Sequence, residues 1–275
     1  PEPLADAQGS LVHPVAGKPA ALVNALPGQH LEAPDLHHCS QMGQLLARMH
    51  LAITNYAPVQ ANQRGLAWWQ DMTPRLSPYL SAGQRALLDT ELAFQQQVAA
   101  SAAYQALPKG AVHADCFRDN VLFDGLPGHE KLTGCLDFYF AGTEPLAYDL
   151  AVALNDWCID LDTGRLEADR ADALVRAYQG LRALQPAEVR LMPALLRASA
   201  LRFWLSRLGD WHLPRADMLF REAGLPATPH CPQEPADMMA LPRRLFWRAR
   251  EGVAMVKDRI LVEAQRVSSA RRNPR

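Results

Sequence analysis

A chain of 275 residues can bury a large core, either as one domain or as two modest ones. Its 28 basic and 29 acidic residues leave a formal net charge of −1, which excludes a global electrostatic pull toward nucleic acid or an anionic membrane. No apolar run reaches the roughly 18 residues of a membrane span and no basic-then-apolar leader opens the sequence, so a cytoplasmic location is expected. Five cysteines, Cys39, Cys116, Cys135, Cys158 and Cys231, are scattered and form no Cys-x-x-Cys pair. Reduced thiols are expected rather than a disulfide framework or a zinc site.

In chain order, Leu11 to Leu26 reads as a strand pair, Leu11–Val15 and Ala20–Val23, around a Gly17-Lys18-Pro19 turn, with Pro27-Gly28 closing it. A helix follows Pro34, capped by Asp35, with Leu36, Met42, Leu45, Leu46 and Met49 at helical spacing. His37-His38-Cys39 has metal-ligating residue types, but adjacent helical residues point in different directions. Residues 56 to 67 are loop-like and lead to Trp68 and Trp69. A single helix is predicted from about Ser81 to Ala106.

Ala111-Val112-His113 is then a short apolar approach to a loop, and Asn120-Val121-Leu122-Phe123 is a β-prone run. Asp124-Gly125-Leu-Pro-Gly128 is a turn cluster, and Lys131 to Phe138 reads as the returning strand. Alternation places Thr133, Cys135 and Asp137 on one face of that strand, with Leu132, Leu136 and Phe138 on the other. Helices are predicted from Leu146 to Cys158, Leu166 to Leu181 and Pro186 to Trp211, with two further segments after Pro235. The basic tail, Ser268 to Arg275, is expected to be a solvated end.

The chemistry concentrates in His113-Ala-Asp115-Cys-Phe-Arg-Asp119-Asn120 and in Leu136-Asp137-Phe138-Tyr139. His-x-Asp-x-x-x-x-Asn followed by Asp-Phe supplies a carboxylate beside an acceptor hydroxyl and two oxygen ligands for magnesium. One such match is easily a chance Asp- and Asn-rich turn. Two matches in the right order favour a phosphotransferase. Cys116, inside the first motif, has no activating base and is read as a spacer.

Val112-His-Ala-Asp115-Cys-Phe-Arg-Asp-Asn120-Val-Leu-Phe123, Leu136-Asp-Phe-Tyr-Phe140 and Ala147-Tyr-Asp-Leu-Ala151 resemble the aminoglycoside phosphotransferase-like kinases. Within that group, Asp137-Phe-Tyr-Phe-Ala141, Leu154-Asn-Asp-Trp157-Cys158 and Ala200 to Trp211 are similar to the bacterial homoserine kinases of the protein-kinase-like type. The resemblance runs from about Gly17 to Trp211 and is strongest over residues 111 to 158. It implies an α+β, protein-kinase-like fold. Residues 1–28 would be a strand remnant of the N-terminal lobe with its hinge, and residues 29–275 the helical C-terminal lobe with its embedded hairpin.

The implied activity is ATP-dependent phosphorylation of the L-homoserine hydroxyl to O-phospho-L-homoserine, a step toward threonine, with Mg2+ as cofactor and ATP as co-substrate. By the same resemblance Asp115 is the catalytic base, Asn120 and Asp137 are the magnesium ligands, the backbone of Val23 and Asn24 meets adenine, and Leu122 lies beneath it. Kinases of this fold carry a glycine-rich phosphate-covering loop and a strand lysine ahead of the hinge. Neither is in the sequence, which opens on Pro1. Lys18, a turn residue with no Gly-x-x-x-x-Gly before it, is no substitute. A truncated N-terminal lobe and weak activity of the chain as given are therefore expected.

Other residues have two readings. His113 is a loop brace rather than the base, and Asp149, at a helix start, is a structural acceptor or a substrate contact. Arg202 and Arg207 interrupt an apolar helix, either as a clamp for an amino-acid carboxylate or as buried partners of Asp210 or another acid. Asn155, with Asp156, is a candidate receiver for the substrate's ammonium. Trp204 and Trp211 are expected in the core. The alternatives to homoserine are choline, an aminoglycoside-like alcohol, or a non-catalytic kinase lobe that only binds.

Overall fold

The computed structural model describes residues 1–160 and 165–213. The segments expected after Pro235, the basic tail, Cys231 and the Trp211 side chain lie outside the described residues. Six short strands and seven α-helices are described, the strands forming three separate antiparallel pairs.

β1 (His13–Val15) and β2 (Lys18–Ala20) form the first pair, with Val15 opposite Lys18. The connection is therefore the two residues Ala16 and Gly17, both at positive φ (48° and 76°), the backbone that a tight hairpin demands. Lys18 is thus a strand residue, not the turn residue expected from the sequence. Ala16 and Gly17 together make the turn, which closes one residue early. Farther on, Gln29 bridges Phe123, and Gly28 (φ 106°) lies so close that a Cβ there would fall 2.5 Å from the Phe123 carbonyl oxygen.

α1 (Leu36–Ala52) begins with a reciprocal cap: the Asp35 carboxylate accepts from His38 N–H, and the His38 ring accepts from Asp35 N–H. Its buried stripe of His38, Cys39, Met42, Leu46 and His50 faces α6 (Ala168–Leu181) and the core. At Gly43 the two helices touch, since a Cβ would sit 2.1 Å from the Leu174 carbonyl oxygen. α2 (Leu66–Leu76) is followed by α3 (Ala82–Ala100) and the single-turn α4 (Ala102–Gln105). The single helix predicted for Ser81–Ala106 is thus two. Ser101 adopts extended backbone (ψ 142°), and its hydroxyl accepts from Tyr104 N–H to start the next turn.

The next two strand pairs are nested. β3 (Lys109–Val112) pairs with β6 (Gly142–Pro145), and between them β4 (Val121–Asp124) pairs with β5 (Lys131–Cys135). A nested pairing forces the two connections, residues 113–120 and 136–141, to run side by side. Leu136 N–H donates to the Asn120 carbonyl at 2.8 Å and fastens them. The returning strand ends at Cys135 instead of running to Phe138, and Asp137 is left-handed (φ 59°). Period-2 alternation stops there. Cys135 is buried and Asp137 exposed, so they do not share the face that the sequence pattern gave them.

α5 (Leu146–Trp157) leads directly out of β6 and is buried along nearly its whole length. α7 (Pro186–His212), opened by a Gln185–Glu188 capping box with Pro186 in the first turn, packs along it. The core is continuous across α1, α5, α6 and α7 and reaches the hairpin through Val121, Phe123 and Trp157. No helix among the described residues is long and apolar enough to cross a membrane.

Candidate active site

The loop after β3 is held from below by one carboxylate. Asp149, fully buried on α5, accepts from His113 N–H at 2.8 Å and from Ala114 N–H at 2.6 Å, while His50 Nε2 lies 3.3 Å from its Oδ2. Burial would raise the Asp149 pKa, but the His50 and His113 contacts outweigh it and hold the carboxyl below the usual range. These bonds stabilise Ala114 at φ 63°, a conformation that a residue with a Cβ adopts reluctantly. Asp149 is therefore a brace reaching across to the loop, not a cap on its own helix. His113 is the second brace: its Nε2 meets the Leu136 carbonyl at 2.7 Å, and its Nδ1 accepts from Asp115 N–H at 3.2 Å.

This frame presents Asp115, almost wholly buried, to Arg202 of α7, whose Nη1 donates to Oδ1 at 2.8 Å. The Arg202 guanidinium stacks over Phe203 (4.2 Å to the ring centroid) and Phe140 (4.9 Å). Burial pushes the Asp115 carboxyl above the ordinary range, with the Arg202 charge pulling it back. Asn120 donates its amide to the Asp115 carbonyl at 2.8 Å, which leaves the amide oxygen directed elsewhere. Asp137 is exposed, its Oδ1 making only a long 3.4 Å contact with Tyr139 N–H. Asp115, Asn120, Asp137, His113 and Arg202 are thus brought into one cluster.

Three of the expected substrate contacts are placed elsewhere. Arg207 is half-exposed and 3.9 Å from Asp210. Five helical residues turn through about 140°, so Arg202 and Arg207 cannot face one site. Asn155 is buried and spends its amide on the Leu196 carbonyl (2.8 Å) and the Ser199 hydroxyl (2.5 Å), tying α5 to α7. Asp156 accepts from Arg118 N–H and Nε, at 2.8 and 3.2 Å, and anchors the turn that delivers Asn120. Arg118 was assigned no role from the sequence; its place inside the motif was the only signal. Cys116 and Cys135, far apart in sequence, meet with their sulfurs 3.9 Å apart, and Cys39 lies beside Cys158. The described thiols are free, but paired rather than scattered. Trp204 is buried in the core.

The family profile described as phosphotransferase enzyme family matches residues 1–186. The chain belongs to this phosphotransferase family. It is 54% identical over 215 residues to a homoserine kinase of Polaromonas naphthalenivorans, covering 78% of this chain and 67% of that protein. It is 51% identical over 221 residues to a homoserine kinase of Cupriavidus taiwanensis, covering 80% and 66%. The chain spans about two thirds of the length of these curated relatives. Among solved structures it is similar to an amicoumacin kinase in complex with AMP-PNP and Ca2+ (TM-score 0.58, 15% identity, 94% of this chain and 71% of that one). It is also similar to an aminoglycoside phosphotransferase from Alicyclobacillus acidocaldarius (TM-score 0.59, 14% identity, 94% and 77%). The fold of this phosphotransferase is accordingly α+β and protein-kinase-like.

The donor set suits a hard divalent cation. An outward amide oxygen at Asn120 and an exposed carboxylate at Asp137 are hard oxygen ligands, held together through the Leu136–Asn120 bond. Val23 and Asn24 pair with the chain start, Val23 bridging Pro3 and Asn24 N–H donating to the Glu2 carbonyl at 3.1 Å. Leu122, half-buried on β4, faces Gly134 of β5, and the Leu26 side chain lies against Gly134.

Proposed function

We propose that the protein is a homoserine kinase, transferring the γ-phosphate of ATP to the side-chain hydroxyl of L-homoserine to give O-phospho-L-homoserine. The observation that carries this reading is the Asp115–Arg202 pair: a buried carboxylate able to take a hydroxyl proton stands beside a guanidinium able to grip a carboxylate. The names of the relatives at about half identity support the same acceptor. A quaternary ammonium or polycationic acceptor would meet the positive charge of Arg202 next to the base, which disfavours choline and aminoglycosides.

In this reading Asp115 orients the acceptor hydroxyl and receives its proton, while Arg202 turns part of its donor set to the acceptor carboxylate. Asn120 and Asp137 would hold Mg2+, which when bound neutralises charge on the nucleotide phosphates. Val23, Asn24 and Leu122 would border adenine. His113 and Asp149 fix the loop so that Asp115 needs no rearrangement at the moment of transfer. We divide the chain into an N-lobe strand and hinge segment, 1–28, and a helical lobe beyond it, and place the protein in the cytoplasm, where homoserine and ATP meet. The test is acceptor-dependent ADP release by the full-length protein with L-homoserine, choline and an aminoglycoside. Turnover of homoserine alone is expected; turnover of choline without homoserine refutes the assignment.

A further inference from the structure

A cavity of about 40 Å³ is lined by Trp69, Gln95, Tyr104, Glu144, Tyr148 and Ala198, among others. One water needs roughly 10–15 Å³ by this measure, so the space admits an ammonium with its attached carbon. The Glu144 carboxylate accepts from Asn62 Nδ2 at 3.1 Å and from the Tyr104 hydroxyl at 3.2 Å, both neutral donors. Among the described residues no cation is ion-paired with it. Lys109 stands instead over the Tyr104 ring, 5.4 Å from the centroid. Tyr148 is 3% exposed, and its hydroxyl has no hydrogen-bond partner among the described residues. A partly buried acid whose two hydrogen-bond donors are neutral and on which the Lys109 charge is the weakest influence, an unused phenol oxygen and aromatic walls are features that select a small cation.

We propose that this cavity receives the ammonium group of the acceptor amino acid, with Glu144 as its counter-charge and Tyr148 as a second acceptor. The inference rests on the homoserine kinase reading and replaces Asn155 and Asp156 as the ammonium receivers. Ala198 lines the cavity, and Arg202, four residues on along α7, lies about 6 Å farther along the axis and only about 40° around it. In extended homoserine the hydroxyl and amine are roughly 5 Å apart on standard bond lengths. The step of about 6 Å from Ala198 to Arg202 is comparable with that length. Tyr148 joins the two ends, within electrostatic reach of Glu144, Arg202 and Asp115 together. Burial pushes the Glu144 carboxyl above its usual range, with the Asn62 and Tyr104 hydrogen bonds and the Lys109 charge pulling it back.

The test uses the full-length protein with L-homoserine and with 4-hydroxybutyrate, which keeps the hydroxyl and carboxylate and lacks the amine. Glu144→Gln is expected to raise KM for homoserine by ~10-fold or more with kcat within about two-fold, the signature of lost ground-state binding. KM or Ki for 4-hydroxybutyrate is expected to stay unchanged. Tyr148→Phe, which removes only a hydroxyl with no described partner, is expected to shift homoserine in the same direction by less, and it decides the matter if the Glu144 variant does not fold. An unchanged homoserine KM, or equal shifts for both compounds, overturns the proposal and makes the cavity a structural one. A wild-type protein that turns over no homoserine overturns the kinase reading, and the ammonium site with it.

Discussion

Arg202 donates to the Asp115 carboxylate at 2.8 Å from 87 residues farther along the chain. The Arg202 guanidinium lies over the Phe140 and Phe203 rings, and its Nε has no hydrogen-bond partner among the described residues. In the proposed reaction base and cation are thereby coupled: whatever draws Arg202 toward a substrate carboxylate also frees Asp115 for the hydroxyl. One variant of Asp115 and two of Arg202 follow from that coupling.

Asp115→Asn keeps the size of the side chain and its contact with Arg202 but cannot take a proton. In the full-length protein kcat is expected to fall by at least ~10²-fold, with nucleotide affinity little changed. Single-turnover kinetics with a fluorescent ATP analogue separates the two quantities. Near-normal turnover would remove Asp115 from its role.

Asp137→Ala is expected to abolish Mg2+-dependent nucleotide binding, because its exposed carboxylate carries the charge of the proposed metal site. Asn120→Ala is expected to weaken binding less, since a neutral amide contributes less to holding a divalent ion. Calorimetry with AMP-PNP, with and without Mg2+, reads both. The reverse order of effects would contradict these ligand roles.

Arg202→Lys keeps the charge but loses the planar fork, so KM for homoserine is expected to rise ~10-fold while KM for ATP stays constant. Acidity gives a second readout. Burial raises the Asp115 pKa and Arg202 lowers it, so the ionised base is lost as pH falls through a value above the ordinary aspartate range. Arg202→Met removes the lowering contribution, and the acid limb of kcat/KM is expected to move to higher pH. Arg202→Lys should move it less. A limb that stays fixed in both variants belongs to another group.

Asp149→Asn tests the brace. The buried carboxylate accepts two loop N–H groups and contacts His50, and charge-assisted bonds of this kind are worth about 1.5–3 kcal/mol each. The variant is expected to lose about 2–4 kcal/mol of stability at neutral pH, read by urea denaturation. Because the folded-state pKa of Asp149 is lowered, its contribution is present above the unfolded value and is lost as pH falls through the folded one. The wild-type and variant stabilities should therefore converge in acid. A constant difference down to low pH would show that packing, not the charge, is responsible.

Local patterns in the sequence carried the elements and the chemistry of the loop. Capping residues such as Asp35 and apolar periodicity define helices through interactions a few residues apart, and the His113–Asn120 and Leu136–Phe138 motifs name their own residue types. Backbone geometry was harder to see. The split at Ser101, the early turn at Gly17 and the left-handed Asp137 each depend on one residue's φ or ψ, which neighbouring residue types only bias. The site's partners were least visible. Nothing near Arg202 or Arg207 says which of them meets Asp115; the 100° step of α7 and its packing against the catalytic loop choose Arg202 and turn Arg207 to Asp210. Likewise Asn155 looks free in the sequence, and only the approach of α7 to α5 consumes its amide, while the bridge between Ala61 and Thr143 of β6, with Tyr104 of α4 reaching across, gathers Glu144, Tyr104 and Asn62. Residue chemistry and short-range pattern are properties of the string, whereas the pairing of buried charges is a property of distance, and distance exists only once the helices have packed.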